Sequence, residues 1–142
     1  MQALEGLKVV EVGNILAGPW CGTMMADFGA DVIKVEPPKG GDLMRNMGRI
    51  KDMWYAVEAV SYTHLPSPRD LMRNMGRIKD MWYAVEGRNK RCVTLNLKSE
   101  KGKEMLTDLI KDADILIENF RPGVFKRLGF TWESLHALNP RL

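Results

Sequence analysis

Long apolar runs, paired cysteines and a dominant charge sign are all missing from this 142-residue chain. No stretch approaches the roughly 20 consecutive apolar residues of a bilayer-spanning helix, so no helical membrane anchor is expected. The opening MQALEGLKVVEV has no basic start and no long apolar middle, and does not read as a secretory signal. Cysteine occurs only at Cys21 and Cys92, without CxxC spacing. That excludes a disulfide framework and a thiolate metal site, and leaves two ordinary thiols in a reduced, cytoplasmic protein as the expectation. Lys and Arg number 21 against 18 Asp and Glu, a net charge of +3. The tightest basic cluster, Arg88, Lys90 and Arg91, is too short for a nucleic-acid surface. His64 and His136 stand apart and receive no role, and no metal is expected.

What is present is globular. Apolar residues make up 45% and charged residues 27%, enough material for a core. The β-branched run from Lys8 to Val12 reads as a buried strand. GNILAGP follows as a loop, and Pro19 suits the first position of a helix, where its missing N–H is not needed. Trp20, Met24 and Phe28 recur every fourth residue on that helix and are expected in the core. Gly29 suits a left-handed helix end. DVIKVE, Asp31 to Glu36, reads as a second strand, and PPKGGD as its exit loop. Strand, helix, strand implies a parallel pair with a right-handed crossover.

Further on, RCVTLNLK alternates, with Val93, Leu95 and Leu97 on one side and Thr94 and Asn96 on the other. Ser99 can cap a helix that carries Met105, Leu106, Leu109, Ile110 and Ala113 on one stripe. Asp114 to Glu118 is another buried strand. NFRPGVFKRLG reads as a loop and a short helix closed by Gly129. Thr131 can cap a last helix bearing Trp132, Leu135 and Leu138, stopped by Asn139 and Pro140. Strands alternating with helices mean an α/β sheet.

Between these halves, the 17 residues DLMRNMGRIKDMWYAVE occur twice without a change, at 42–58 and 70–86. Solenoid repeats diverge and need about three copies to bury a core. Two perfect copies fit neither condition, and the joint AVSYTHLPSPR between them has two prolines and no periodicity. Residues 59–86 therefore read as an insertion: a foreign joint at 59–69 and a duplicate at 70–86. The copy ending at Glu86 runs into GRNKRCVTL, so its Met81–Glu86 end is expected to keep a short helix or turn, and Ser61 to Arg69 to be a surface loop.

The β-α-β opening invites a dinucleotide, with Glu36 where an acidic ribose ligand would stand. The glycines are Gly13, Gly18 and Gly22, which is not G-x-G-x-x-G. Gly13 to Gly18 has the P-loop gap, but Pro19 and Trp20 replace its Lys and Ser/Thr. Both nucleotide motifs fail where their physics needs them.

With 59–86 set aside, LAGP…DFGADVIKVE, NKR…LNLK and ENFRPG, in this order and spacing, resemble the N-terminal part of the class III CoA-transferases. That family includes formyl-CoA, carnitine and bile-acid CoA-transferases, with α-methylacyl-CoA racemase as a relative. The resemblance implies a Rossmann-like, parallel-sheet large domain, here incomplete. It also implies an interlocked homodimer and the transfer of CoA from an acyl-CoA donor to a carboxylic acid, without a metal. Carried over by position, Ile15, Leu16 and Ala17 line the coenzyme A site near the thioester. Leu95 and Lys98 lie beside its nucleotide end, Asn119 and Phe120 follow the DILIE strand, and Arg127 is a phosphate partner.

The chain departs from the family in three places. Pro37 stands where some members have an Arg. Leu16 stands where formyl-CoA transferases have a Gln, which weighs against an oxalate or formate substrate. The family's nucleophilic aspartate falls beyond the position of Leu142, so no catalytic residue is assigned, and the chain alone is expected to be inactive and poorly soluble. The alternatives are a racemase-like isomerase, an NAD(P)-binding dehydrogenase and a fragment without function.

Overall fold

The computed structural model describes residues 2–45 and 81–142. The joint 59–69 lies outside them, as do the later part of the first copy of the repeat and the earlier part of the second. The described elements run β1 (Lys8–Glu11), α1 (Ala17–Asp27), β2 (Asp31–Glu36), a 3-10 turn at Leu43–Arg45, α2 (Met81–Glu86), β3 (Arg91–Thr94), α3 (Glu100–Lys111), β4 (Ile115–Ile117), α4 (Val124–Arg127) and α5 (Trp132–Leu138). Among the described residues the four strands form one sheet, in the order β3-β2-β1-β4, with every neighbouring pair parallel. This is the expected α/β fold.

The strand order follows from the chain path. From β1 the chain steps outward to β2 and β3, then returns past β1 to β4. The direction of winding therefore reverses between β1 and β4. Such a reversal opens a crevice beyond the carboxyl ends of the two strands, because the connections leave to opposite sides.

Alternation along the strands divides the core in two. On one face Val10, Val12, Val35 and Leu95 pack with Leu106, Ile110 and Ala113 of the α3 segment and with Phe125 and Phe130. On the other face Val9 and Val32 pack with Ala26 and Ala30 of the α1 segment. Leu106 and Ile110 are completely buried, each worth about 1.5–3 kcal/mol of apolar transfer. The stripe expected on α3 stands, except that Met105 is 44% exposed at its margin.

Local signals set the helix ends. Ser99 Oγ accepts the Gly102 N–H at 3.1 Å and caps α3, with Glu100 in its first turn and Lys111 in its last, both favourable to the helix dipole. Thr131 caps α5 in a reciprocal box with Ser134. Gly29 has the positive φ expected after α1. Helix α1 begins at Ala17, two residues before the expected start, so Pro19 sits in the first turn, where its missing N–H still removes no helical bond.

One expectation is overturned. Trp20, Met24 and Phe28 are 45%, 40% and 52% exposed. The buried face of α1 is instead Gly18, Pro19, Gly22, Thr23 and Ala26. Small residues are needed there because polar side chains stand between this helix and the sheet. The large apolar residues take the opposite side, and the four-residue spacing marks both faces equally.

Candidate functional site

The loop 13–16 leaves the carboxyl end of β1, and Asn119 and Phe120 follow the carboxyl end of β4, the two strands between which the winding reverses. Asn119 braces the loop as a backbone partner would. Its Oδ1 accepts the Asn14 N–H at 2.9 Å, and its Nδ2 donates to the Asn14 carbonyl, also at 2.9 Å. Gly13 and Gly18 make room for this carboxamide, since a Cβ on Gly13 would lie 2.7 Å from Asn119 Oδ1 and one on Gly18 3.1 Å from its Cγ. Gly22 serves a second side chain, as a Cβ there would run into Glu11 Oε2. The three glycines that fit no nucleotide motif are therefore spaces for Asn119 and Glu11. Ile15 has φ +71°, a conformation costing a β-branched residue about 1–3 kcal/mol.

A buried ionic cluster lies beside this loop. Lys34 Nζ donates to Glu11 Oε1 at 2.5 Å and to the Gly13 carbonyl at 3.1 Å. It meets Asp42 Oδ2 at 2.8 Å as an ion pair, off the hydrogen-bonding axis. Lys90 Nζ donates to Glu11 Oε2 at 2.7 Å and to the Pro19 carbonyl at 2.5 Å. Burial alone would lower the Lys34 pKa, but Glu11 and Asp42 outweigh it and the pKa is raised. For Lys90 burial wins over its bond to Glu11, and the pKa is lowered. Asp42 Oδ1 accepts the N–H groups of Ile15 at 3.1 Å and Met44 at 2.9 Å, so the cluster reaches the loop directly.

Glu86 closes the cluster from α2. Its carbonyl accepts the Thr23 hydroxyl at 2.5 Å, but neither carboxylate oxygen has a hydrogen-bond partner among the described residues. Burial first, then the charge of Asp42, raises its pKa from 4.5 to about 7. With Glu86 protonated, Glu11 and Asp42 balance Lys34 and Lys90.

At the end of β2, Glu36 Oε2 accepts Arg45 Nε at 2.7 Å and the Asp42 N–H at 3.0 Å. Its Oε1 accepts Arg45 Nη2 at 2.8 Å and the Tyr83 hydroxyl at 2.5 Å. Burial opposes ionisation of Glu36, yet these donors, Arg45 foremost, hold its pKa at about 2. The Arg45 guanidinium lies 3.5 Å from the centre of the Tyr83 ring. The start of the first repeat copy thus meets the end of the second, and Met81–Glu86 is a short helix, as expected. Both carboxylate oxygens of Glu36 are thus engaged with protein groups. A cleft lined by Glu36, Gly41, Arg45, Cys92, Val93 and Thr94 opens beside it. Cys21 and Cys92 are both free and exposed.

Of the sequence-assigned residues, Asn119 brackets Asn14, the residue before Ile15 and Leu16, and Ala17 opens α1. Phe120 stacks on Phe125 at 5.8 Å, and Phe125 on Phe130 at 4.9 Å. Leu95 is buried in the core, its N–H donating to the Glu36 carbonyl at 2.9 Å. Lys98 is exposed just before α3, and Arg127 is exposed at the end of α4. Glu11, Lys34, Asp42, Lys90 and Glu86 were not assigned from sequence. A charge flanked on both sides by β-branched residues, Glu11 in VVEV and Lys34 in VIKV, was the available signal for the first two. No group of three or more His, Cys, Asp or Glu among the described residues could hold a metal.

The sequence profile of the CoA-transferase family III matches residues 4–142. The chain belongs to this family. It is 40% identical over 141 residues to a formyl-CoA:oxalate CoA-transferase of Bradyrhizobium sp. (strain ORS 278), covering 99% of this chain and 28% of that protein. A succinyl-CoA–D-citramalate CoA-transferase of Chloroflexus aurantiacus is 41% identical over 143 residues, covering 98% of this chain and 29% of that protein. The crystal structure of a CAIB/BAIF family protein from Brucella suis superposes with a TM-score of 0.75 at 37% identity, over 99% of this chain and 32% of its own. The family III chain described here therefore spans about 28% of the length of the curated relatives it matches.

Proposed function

We propose that this chain is the coenzyme A-binding lobe of an enzyme that transfers CoA from an acyl-CoA to a carboxylic acid. One observation carries the reading: the Ile15–Leu16–Ala17 loop is held in a strained shape at the sheet's reversal point, beside Asn119 and Phe120. Ligands of open α/β sheets bind at such points. Ile15, Leu16 and Ala17 receive the thioester end, Lys98 borders the nucleotide end with the core residue Leu95 beneath it, and the exposed Lys98 and Arg127 attract the phosphates. The two named transferases each pair an acyl-CoA with an acid, and Leu16 gives this site an apolar wall in place of a polar one. The carboxylate that accepts the acyl group lies outside these 142 residues in this reading, so the chain alone completes no transfer. The exposed Trp20, Met24 and Phe28 suit a protein that works as an interlocked homodimer, and the cytoplasm is the compartment we propose for it.

We treat 28 residues, the 11-residue joint and one 17-residue copy, as an insertion. Because 42–58 repeats at 70–86, removing 59–86 or 46–73 yields the same chain. The second choice keeps both Asp42–Arg45 and Met81–Glu86, the two pieces that pack together.

Calorimetric titration of the 142-residue chain tests the reading. CoA is expected to give a saturable heat, and NAD none, since Glu36 is occupied by Arg45 and Tyr83. Saturable NAD binding without a CoA signal would replace the transferase reading by the dehydrogenase one.

A further inference from the structure

We infer that Asp42 is a positioning residue of the coenzyme A site: its buried carboxylate holds the Ile15–Leu16–Ala17 loop in the backbone shape that receives the ligand. The inference rests on the binding role proposed for that loop. It adds a residue that touches no ligand and acts through the backbone of Ile15.

The geometry is specific. Asp42 is 1% exposed. Its Oδ1 takes the Ile15 N–H at 3.1 Å, at the residue whose φ is +71°. Its Oδ2 meets Lys34 at 2.8 Å, and Lys34 in turn holds the Gly13 carbonyl at 3.1 Å. The Asp42 N–H is anchored on Glu36 Oε2 at 3.0 Å. Asn119 grips Asn14 between these two points. Three successive loop residues are thus each fixed by a different side chain. Ile15 is the strained one, so its hydrogen bond is the one that offsets a conformational cost. Without the carboxylate, Ile15 relaxes toward negative φ, and Leu16 and Ala17 turn with it.

The test is CoA titration of the full 142-residue chain in two backgrounds. Asp42→Asn keeps the side-chain shape and an oxygen that can accept the Ile15 N–H but removes the charge, and is expected to weaken CoA binding about fivefold, the difference between a charge-assisted and a neutral hydrogen bond. Ile15→Gly adopts positive φ without strain. In that background Asp42→Asn is expected to cost less than about threefold, because the loop no longer needs holding. An equal cost in both backgrounds, or no cost in either, overturns the inference and leaves the CoA site standing. A parent chain that binds no CoA at all overturns the site and the inference together. If Asp42→Asn does not fold, amide exchange in the parent decides. The Ile15 N–H must be protected like the sheet amides, and exchange at the rate of an open loop overturns the inference.

Discussion

Replacing Lys34 by methionine is expected to destabilise the chain by about 3–5 kcal/mol, the usual cost of breaking a buried ion pair from one side. Methionine fills nearly the same volume, so the loss is electrostatic. Lys34 is 1% exposed, donates to Glu11 and to the Gly13 carbonyl, and is ion-paired with Asp42. Among the described residues its removal leaves Asp42 with no paired cation and Glu11 with Lys90 alone. Neither carboxylate can reach water to recover its solvation. A domain of this size has roughly 5–15 kcal/mol in hand, so much of its stability goes with one side chain. The exposed pair Arg91–Asp31 provides the contrast. Its partners are 65% and 50% exposed, and Arg91→Ala should change stability by less than about 1 kcal/mol. Urea midpoints followed by circular dichroism would separate the two. A Lys34→Met midpoint equal to that of Arg91→Ala would mean that water screens the cluster.

Glu86→Gln is expected to change how stability depends on pH. The carboxyl of Glu86 has its pKa raised from 4.5 to about 7 by burial and by Asp42. Below the unfolded value both states hold the proton, and the cluster is balanced. Between pH 4.5 and about 7 the unfolded chain releases its proton while the folded chain keeps it, so stability falls as pH rises. The full loss across this window is about 3 kcal/mol, at 1.36 kcal/mol per unit. Glu36 acts with the opposite sign. Its pKa, lowered to about 2, contributes stability that is complete above 4.5 and is lost on acidification. The parent chain should therefore be most stable near pH 4.5–5 and weaken toward pH 8. Glutamine cannot ionise, so the variant should keep its stability to pH 8 and exceed the parent there. Parallel pH profiles in the two proteins would show that Glu86 is already ionised in the fold.

The sheet and most helix ends were legible because their causes are local. VVEV, DVIKVE and DILIE each combine β-branched or aliphatic residues with a turn signal. Ser99 and Thr131 announce helices through short-range hydrogen bonds. The outward turn of Trp20, Met24 and Phe28 was not legible, because it depends on what fills the space under α1. That space holds Glu11 from the preceding strand together with Lys90, which is 71 residues from its partner Pro19, and Asn119, which is 105 residues from its partner Asn14. The same distance hid the cluster. Glu11 and Lys34 look like interruptions of two strands until the β1–β2 pairing puts them side by side. Asp42 and Glu86 sit at opposite ends of the repeated segment, in different copies, where the duplication made every residue look dispensable. The Asn119 assignment rested on family resemblance. The structure adds a physical task for it in bracing Asn14, and shows that Gly13 and Gly18 are the complement of its carboxamide.

The binding place proposed for coenzyme A is beyond the carboxyl ends of β1 and β4. Titrating CoA into the isotopically labelled 142-residue chain and following backbone amide shifts reads that place residue by residue. The account predicts saturable shifts at Ile15, Leu16, Ala17, Asn119 and Phe120, with smaller ones at Lys98 and Arg127, and none at the far ends of the strands near Lys8 and Asp31. Shifts confined to those far ends, or a saturated titration that leaves the Ile15–Ala17 amides unmoved, would contradict it.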